Sequence, residues 1–236
     1  ARETADIVLS DDNFASIINA VEEGRSIIKK LKNAVTYLFS TNLSEVLALV
    51  VGLAIGVPEI FTAIQLLFIN LIGDGMPALA LAFSPKDENV MKLPPKREVA
   101  IIDSHDRKFI VSVGVTAALL VLSGYFLFNQ KSDLIGKTAA FTILGVIQSF
   151  VLIDLWVSHG SITRQLRSFF SPIFLIAFLI PIATIFMIVH TPLFAQLFGV
   201  TTINTTTFFQ TLLMSLLVFI GIKLVRILDF KGREAE

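Results

Sequence analysis

Two carboxylates stand inside long apolar runs of this chain. Glu45 closes Thr41-Asn42-Leu43-Ser44-Glu45, and Asp74 lies within Asn70-Leu71-Ile72-Gly73-Asp74-Gly75-Met76-Pro77. An acid at the centre of a membrane helix costs roughly 2.5–3.5 kcal/mol on insertion scales, so its presence asks for a use. Asn42 and Glu45 are spaced i, i+3 and Asn70 and Asp74 i, i+4, which puts each pair on one helix face. If the two segments form a hairpin, four oxygen-bearing side chains converge near mid-membrane. An all-oxygen donor set suits calcium, magnesium or manganese rather than zinc or copper, and two negative charges match one divalent cation.

The backbone around Asp74 adds to this. Gly73 and Gly75 flank the acid, and Pro77 has no N–H to bond the carbonyl of Gly73. Local unwinding is expected there. Carbonyls freed inside a membrane are tolerated where they line a cavity or meet a ligand, a device of discontinuous transport helices; the plainer alternative is a kink packed against a neighbour.

The elements that must position these groups follow from composition. With 236 residues, 54% hydrophobic and mean hydropathy +0.78, the chain is too apolar for a soluble domain. Zero net charge suggests no nucleic-acid partner, and zero cysteines exclude disulfides and thiolate metal sites and hint at a bacterial source. Six apolar segments, at about 33–57, 61–83, 107–129, 138–158, 170–190 and 207–228, are each near the ~20 residues that span a bilayer. Gly56-Val57-Pro58-Glu59-Ile60 is a turn short enough to make the first two antiparallel neighbours.

An even number of spans puts both termini on one side. That side carries seventeen Lys and Arg, against Lys131 and Lys137 on the other, so both termini are expected to be cytoplasmic. Before the first span, Ala5–Leu9 reads as a short buried strand and 10–13 as a turn. Phe14, Ile17, Ile18 and Val21 then repeat at helical spacing into a charged stalk through Lys32. Such a stalk normally packs on a soluble domain, so the chain is expected to begin mid-domain. The loop from Ser84 to Asp106, stiffened by Pro94-Pro95-Lys96-Arg97, is either a solvated connector or a docking surface for cytoplasmic segments.

Other polar residues within the apolar segments carry two readings each. Gln148 is either a further oxygen ligand or a hydrogen-bonding partner for a neighbouring helix. Asp154 and Trp156, before His159, read as interfacial anchors. His190 reads as structural, and Gly114 and Gly124 as sites of close helix packing.

Taken together, these residues resemble the C-terminal part of a P-type cation-transporting ATPase, closest to the calcium-pump branch. Ala1–Phe14 is similar to the end of the family's phosphorylation domain, Thr41–Glu45 to the ion-binding stretch of its fifth membrane helix, and Gln65–Ala78 to that of its sixth. Pro94-Pro95 matches the loop between its sixth and seventh helices, and the remaining spans are its seventh to tenth. The resemblance implies an all-α polytopic membrane protein. It has a phosphorylation-domain remnant of a soluble α/β domain at 1–15 and a stalk helix at 16–32. An ion-binding hairpin occupies 33–83, a cytoplasmic loop 84–106, four supporting helices 107–228 and a cytoplasmic tail 229–236.

By the same resemblance, Asn42, Glu45, Asn70 and Asp74 occupy ligand positions for the transported ion. Gly73 replaces a threonine ligand of two-site calcium pumps, and Gln148 replaces a glutamate, leaving Gln148 a weak ligand. One complete calcium site is therefore expected, formed mainly by Asn70 and Asp74 with help from Glu45 and completed by the family's fourth helix. With the ion released, neighbouring buried carboxylates tend to take up protons, so proton countertransport is expected. The chain has no Asp-Lys-Thr-Gly-Thr segment, so by resemblance it does not hydrolyse ATP alone. ATP and Mg2+ belong to the intact pump, whose partners for this chain are lipid, the first four membrane helices, and the actuator, nucleotide-binding and phosphorylation domains. The expected location is a bacterial plasma membrane. A pump for Mn2+, Na+/K+ or H+ and, from another class, a passive channel or secondary transporter remain alternatives.

Overall fold

The computed structural model describes residues 14–87, 89–92, 94, 101–157 and 162–224. The strand and turn expected within 1–13, His159, and Pro95 to Arg97 lie outside the described residues. Every regular element among the described residues is helical, and six helical stretches are long and apolar enough to cross a membrane. The chain is an all-α polytopic membrane protein.

Helix α1, Phe14–Ala54, is a single element of 41 residues, about 60 Å long at 1.5 Å per residue. Its charged first half and apolar second half run on without a break, because no proline interrupts it. It stops at Gly56, whose φ of +83° admits a C-terminal cap: the Gly56 N–H donates to the Leu53 carbonyl at 3.2 Å and the Val57 N–H to the Gly52 carbonyl at 2.9 Å. The chain then re-enters through α2, Ala63–Phe68, whose Thr62 and Gln65 form a reciprocal capping box. A π-helical turn at Ile69–Asp74 and helix α3, Gly75–Leu81, complete the hairpin.

Helices α4, Ser104–Asn129, and α5, Asp133–Trp156, follow. The short α6, Ile162–Phe169, leads into α7, Pro172–His190; α8, Pro192–Leu197, and α9, Thr205–Leu216, end the bundle. The core is organised on α5, where residues 138–152 are all buried. A helix enclosed on every side is apolar all round, and it packs against α1, α4, α7 and α9. Glycines set the spacing as expected. A Cβ on Gly114 would stand 2.8 Å from Leu43 Cδ2, and one on Gly124 2.1 Å from Ile143 Cδ1, so each glycine admits a side chain from the neighbouring helix.

The two described ends of the 84–106 loop close back on α1. Asp87 pairs with Lys29 and Lys86 with Glu23, while the Arg25 guanidinium donates to the Val90 carbonyl at 3.2 Å. At the far end Lys32 Nζ lies 2.7 Å from Asp103 and 3.1 Å from Asp106. The described ends of the loop are therefore both tied to the stalk. Asp103 also caps α4, accepting from the Asp106 N–H at 3.0 Å. Partial burial alone would raise its carboxyl, but hydrogen bonds from Lys32 and from the Asp106 amide outweigh that and hold it well below the usual carboxylate range. A folded value below the unfolded one contributes stability at neutral pH that is lost as pH falls through the carboxylate range. Asp103→Ala is expected to cost about 1 kcal/mol by thermal unfolding in detergent at neutral pH, with the difference from wild type shrinking on acidification.

Trp156 departs from its expected place. It is 2% exposed, its indole N–H donates to Ser168 Oγ at 3.1 Å and its ring packs against Phe174 at 5.2 Å. Ser168 of α6 and Phe174 of α7 close on the indole, so Trp156 is packed into the core where an interfacial anchor was expected. Asp154 lines a cavity of about 510 Å³ with Lys29, Lys32, Asn33, Thr36 and His105. His190 stacks on Phe186 at 4.0 Å and its Nδ1 lies 2.9 Å from the Phe186 carbonyl, a packing role.

Candidate functional site

The hairpin of α1 with the α2–π turn–α3 limb brings the four predicted residues together in crossed pairs. Asn42 on α1 donates through Nδ2 to Asp74 Oδ2 at 3.4 Å. Asn70 on the opposing limb donates through Nδ2 to Glu45 Oε2 at 3.2 Å. Each carboxylate of one limb thus accepts from the asparagine of the other. The acids are enclosed, Glu45 at 5% and Asp74 at 1% exposure, while both asparagines are exposed. The site therefore has a buried carboxyl floor and an amide rim.

The local backbone is what aims Asp74. Pro77 was expected to unwind the helix; instead the helix widens into the π-helical turn, with the Gly75 N–H donating to the Asn70 carbonyl. The Gly73 carbonyl, which Pro77 leaves without its helical donor, accepts from the Tyr37 hydroxyl at 2.9 Å. Widening re-spaces Asn70 and Asp74 along the limb without breaking the element, and such turns recur at functional sites.

Gln148, on α5, joins the cluster. It is fully buried, and its Nε2 donates to Glu45 Oε1 at 3.4 Å. Glu45 is thus held by an amide on each oxygen. In this arrangement Gln148 serves as a hydrogen-bond donor to a neighbouring helix, one of its two expected roles. Two buried acceptors here have no hydrogen-bond partner, Asp74 Oδ1 and Gln148 Oε1. A buried unpaired oxygen on an acid costs free energy, and a cation satisfies it.

Tyr37 was missed from sequence. It is 0% exposed, and its hydroxyl lies 2.9 Å from the Gly73 carbonyl and 3.3 Å from that of Gln148, so one donor is shared among α1, the π turn and α5. The signal that could have found it was the carbonyl orphaned by Pro77, which required a donor from elsewhere. Ser40, Thr41 and Ser44, also buried on α1, spend their hydroxyls on carbonyls of their own helix: Thr36 at 2.6 Å, Tyr37 and Leu38 at 3.2 Å, and Thr41 at 2.6 Å. Ser40 and Ser44 shape the helix through those bonds, while the Thr41 hydroxyl also lies beside the Asp74 carboxyl. Outside this cluster, Asp103, His105 and Asp106 lie close enough to share an ion, but the Lys32 ammonium already sits against both carboxylates.

Comparison with known proteins adds an independent finding. The family model described as "Cation transporting ATPase, C-terminus" matches residues 58–228. "Calcium-transporting ATPase 2, endoplasmic reticulum-type" of Arabidopsis thaliana is 37% identical over 137 residues, 58% of this chain and 13% of that protein. "Calcium-transporting ATPase 4, endoplasmic reticulum-type" of the same plant is 47% identical over 97 residues, 41% of this chain and 9% of that protein. "Endoplasmic reticulum calcium ATPase srcA" of Aspergillus fumigatus is 39% identical over 135 residues, 56% of this chain and 14% of that protein. The matched stretch thus spans only a small share of these relatives, 9–14% of their length.

Proposed function

Since this chain belongs to the cation-transporting ATPase family, whose C-terminal part it matches, we propose that it forms the cation-binding membrane section of an ATP-driven pump exporting Ca2+ from the cytoplasm. The observation that carries the reading is the crossed pairing of Asn42 with Asp74 and Asn70 with Glu45. In the structure the amide N–H groups face the carboxylates. Rotating each amide by half a turn presents its oxygen instead, so Asn42 and Asn70 convert from donors to ligands as a cation displaces them. Asp74 Oδ1, buried and unpaired, is the anchor. Two carboxylates and two amides supply part of the six to eight oxygens that calcium takes at 2.3–2.6 Å; the family's fourth membrane helix and backbone carbonyls supply the rest. The names of the relatives above, all calcium-transporting, favour calcium over manganese or a monovalent ion.

The finer parts of the proposal rest on the same cluster. Glu45 and Asp74 balance a single divalent ion, which supports one calcium per cycle with Gln148 outside the ligand set. After release, two enclosed acids are left without a counter-charge, and protons are the available compensation, which supports proton countertransport. The distribution of Lys and Arg supports cytoplasmic termini, and the cysteine-free composition is the support for a bacterial plasma membrane. Phosphorylation by ATP and Mg2+ is assigned to the intact pump, with residues 1–15 closing its phosphorylation domain, the stalk at 16–32 relaying its movement, and the 84–106 loop strapped to that stalk.

Cation-dependent phosphoenzyme formation in the intact pump tests the reading. Calcium is expected to drive labelling from ATP at lower concentration than manganese, with no labelling by sodium or potassium alone. In proteoliposomes, uptake is expected to alkalinise the calcium-filled lumen. Labelling that ignores calcium overturns the ion assignment, and uptake with no counter-flux of protons overturns that part.

A further inference from the structure

Gln148 reaches Glu45 across a notch in the π turn, and the notch exists because residue 73 has no side chain. A Cβ built on Gly73 would stand 1.8 Å from Gln148 Oε1, 3.0 Å from its Cδ and 3.6 Å from its Nε2. The clash involves the amide carbon as well as its tip, so turning the amide about its last bond does not relieve it. The side chain would have to shift, and its Nε2 is the donor to Glu45 Oε1. Helix α5 has little freedom to retreat with it, since the Gln148 carbonyl is tied through the Tyr37 hydroxyl to the Gly73 carbonyl.

We propose that Gly73 and Gln148 form one interlocked unit, in which the empty side-chain volume of Gly73 houses the Gln148 amide so that Gln148 orients Glu45 toward the cation. Gln148 is then a positioning residue and not a ligand. Its amide fills the α5 side of the site, beside Gly73, and within this chain leaves the cation to oxygens from α1 and the π turn. The interlock rests on the reading of Glu45 and Asp74 as the cation site. It also makes a prediction that site residues taken singly do not: a change at 73 acts through 148, so the two substitutions share one effect.

The test is a double-mutant cycle in the intact pump with Gly73→Ala, Gln148→Ala and the two combined. Half-maximal calcium for phosphoenzyme formation is expected to rise roughly 10–100-fold in each single variant, the scale for losing a partner that orients a metal ligand. The combined variant is expected to be no worse than Gln148→Ala, because without the amide no atom stands closer than 3.6 Å to the added methyl. Should Gly73→Ala fail to fold, recovery of folded protein in the combined variant makes the same point. Losses that multiply, or a Gly73→Ala pump indistinguishable from wild type, overturn the interlock. Thermal midpoints of the four proteins in calcium-free detergent solution read the coupling without the transported ion. If wild type is not driven by calcium, the pump assignment fails while these midpoints still decide the interlock, non-additive shifts supporting it and additive ones overturning it.

Discussion

Asp74→Asn is expected to abolish calcium-driven phosphorylation of the intact pump at ordinary calcium concentrations. The substitution keeps size and shape and can still accept from Asn42, so it isolates the charge. Two unit charges 4 Å apart at an effective dielectric near 20 interact by about 4 kcal/mol, and the energy is larger for a divalent ion. Loss of affinity on the order of a thousandfold or more follows. Asp74 is the sharper of the two acids to test because it is 1% exposed and one of its oxygens has no protein partner. Titrating calcium upward separates lost affinity from lost fold: a weakened site recovers labelling at high calcium, and a misfolded one does not. A variant labelled at wild-type calcium would remove Asp74 from the site.

The second large effect is expected at Tyr37. Its hydroxyl serves the carbonyl that Pro77 orphans, deep in the bundle where no water substitutes. Tyr37→Phe leaves that carbonyl without a donor, a cost of about 1–3 kcal/mol, measured by thermal unfolding of the purified pump in detergent. It is also expected to weaken calcium binding, since the same hydroxyl ties the π turn to α5 beside Asp74. Pro77→Ala in the Tyr37→Phe background restores an N–H one helical turn beyond Gly73 and is expected to recover part of the stability. If Tyr37→Phe is neutral, or Pro77→Ala deepens the loss, the carbonyl is served in some other way.

How much of this was legible in the sequence depended on range. The six spans could be read because apolar length is a local property, and the stalk ran into the membrane because no breaker lay between. The pairing of Asn42 and Glu45 with Asn70 and Asp74 was readable from i, i+3 and i, i+4 spacing plus one short turn. The crossed sense of the pairing was not, since the relative rotation of two helices is set by packing. The disturbance at Gly73–Pro77 was visible, but its form was not: unwinding was expected where a π turn formed, because a donor 36 residues away, on Tyr37, supports the one carbonyl the proline frees. Gln148 had two open roles in sequence, and only its hydrogen bond to Glu45 in the folded chain distinguishes them. Trp156 misled for a related reason. Indole near a polar junction reads as an anchor until Ser168 and Phe174 are seen packed on it.

The central claim is that Glu45 and Asp74 hold a calcium ion that ATP moves across the membrane. Radioactive calcium uptake into proteoliposomes of the intact pump, with wild type beside Asp74→Asn and with ATP present or withheld, tests it most directly. Uptake is expected by wild type only with ATP, and none by the variant at the same calcium concentration. Uptake that proceeds down a gradient without ATP, or that the variant retains in full, would contradict it and bring a channel or secondary carrier to the front.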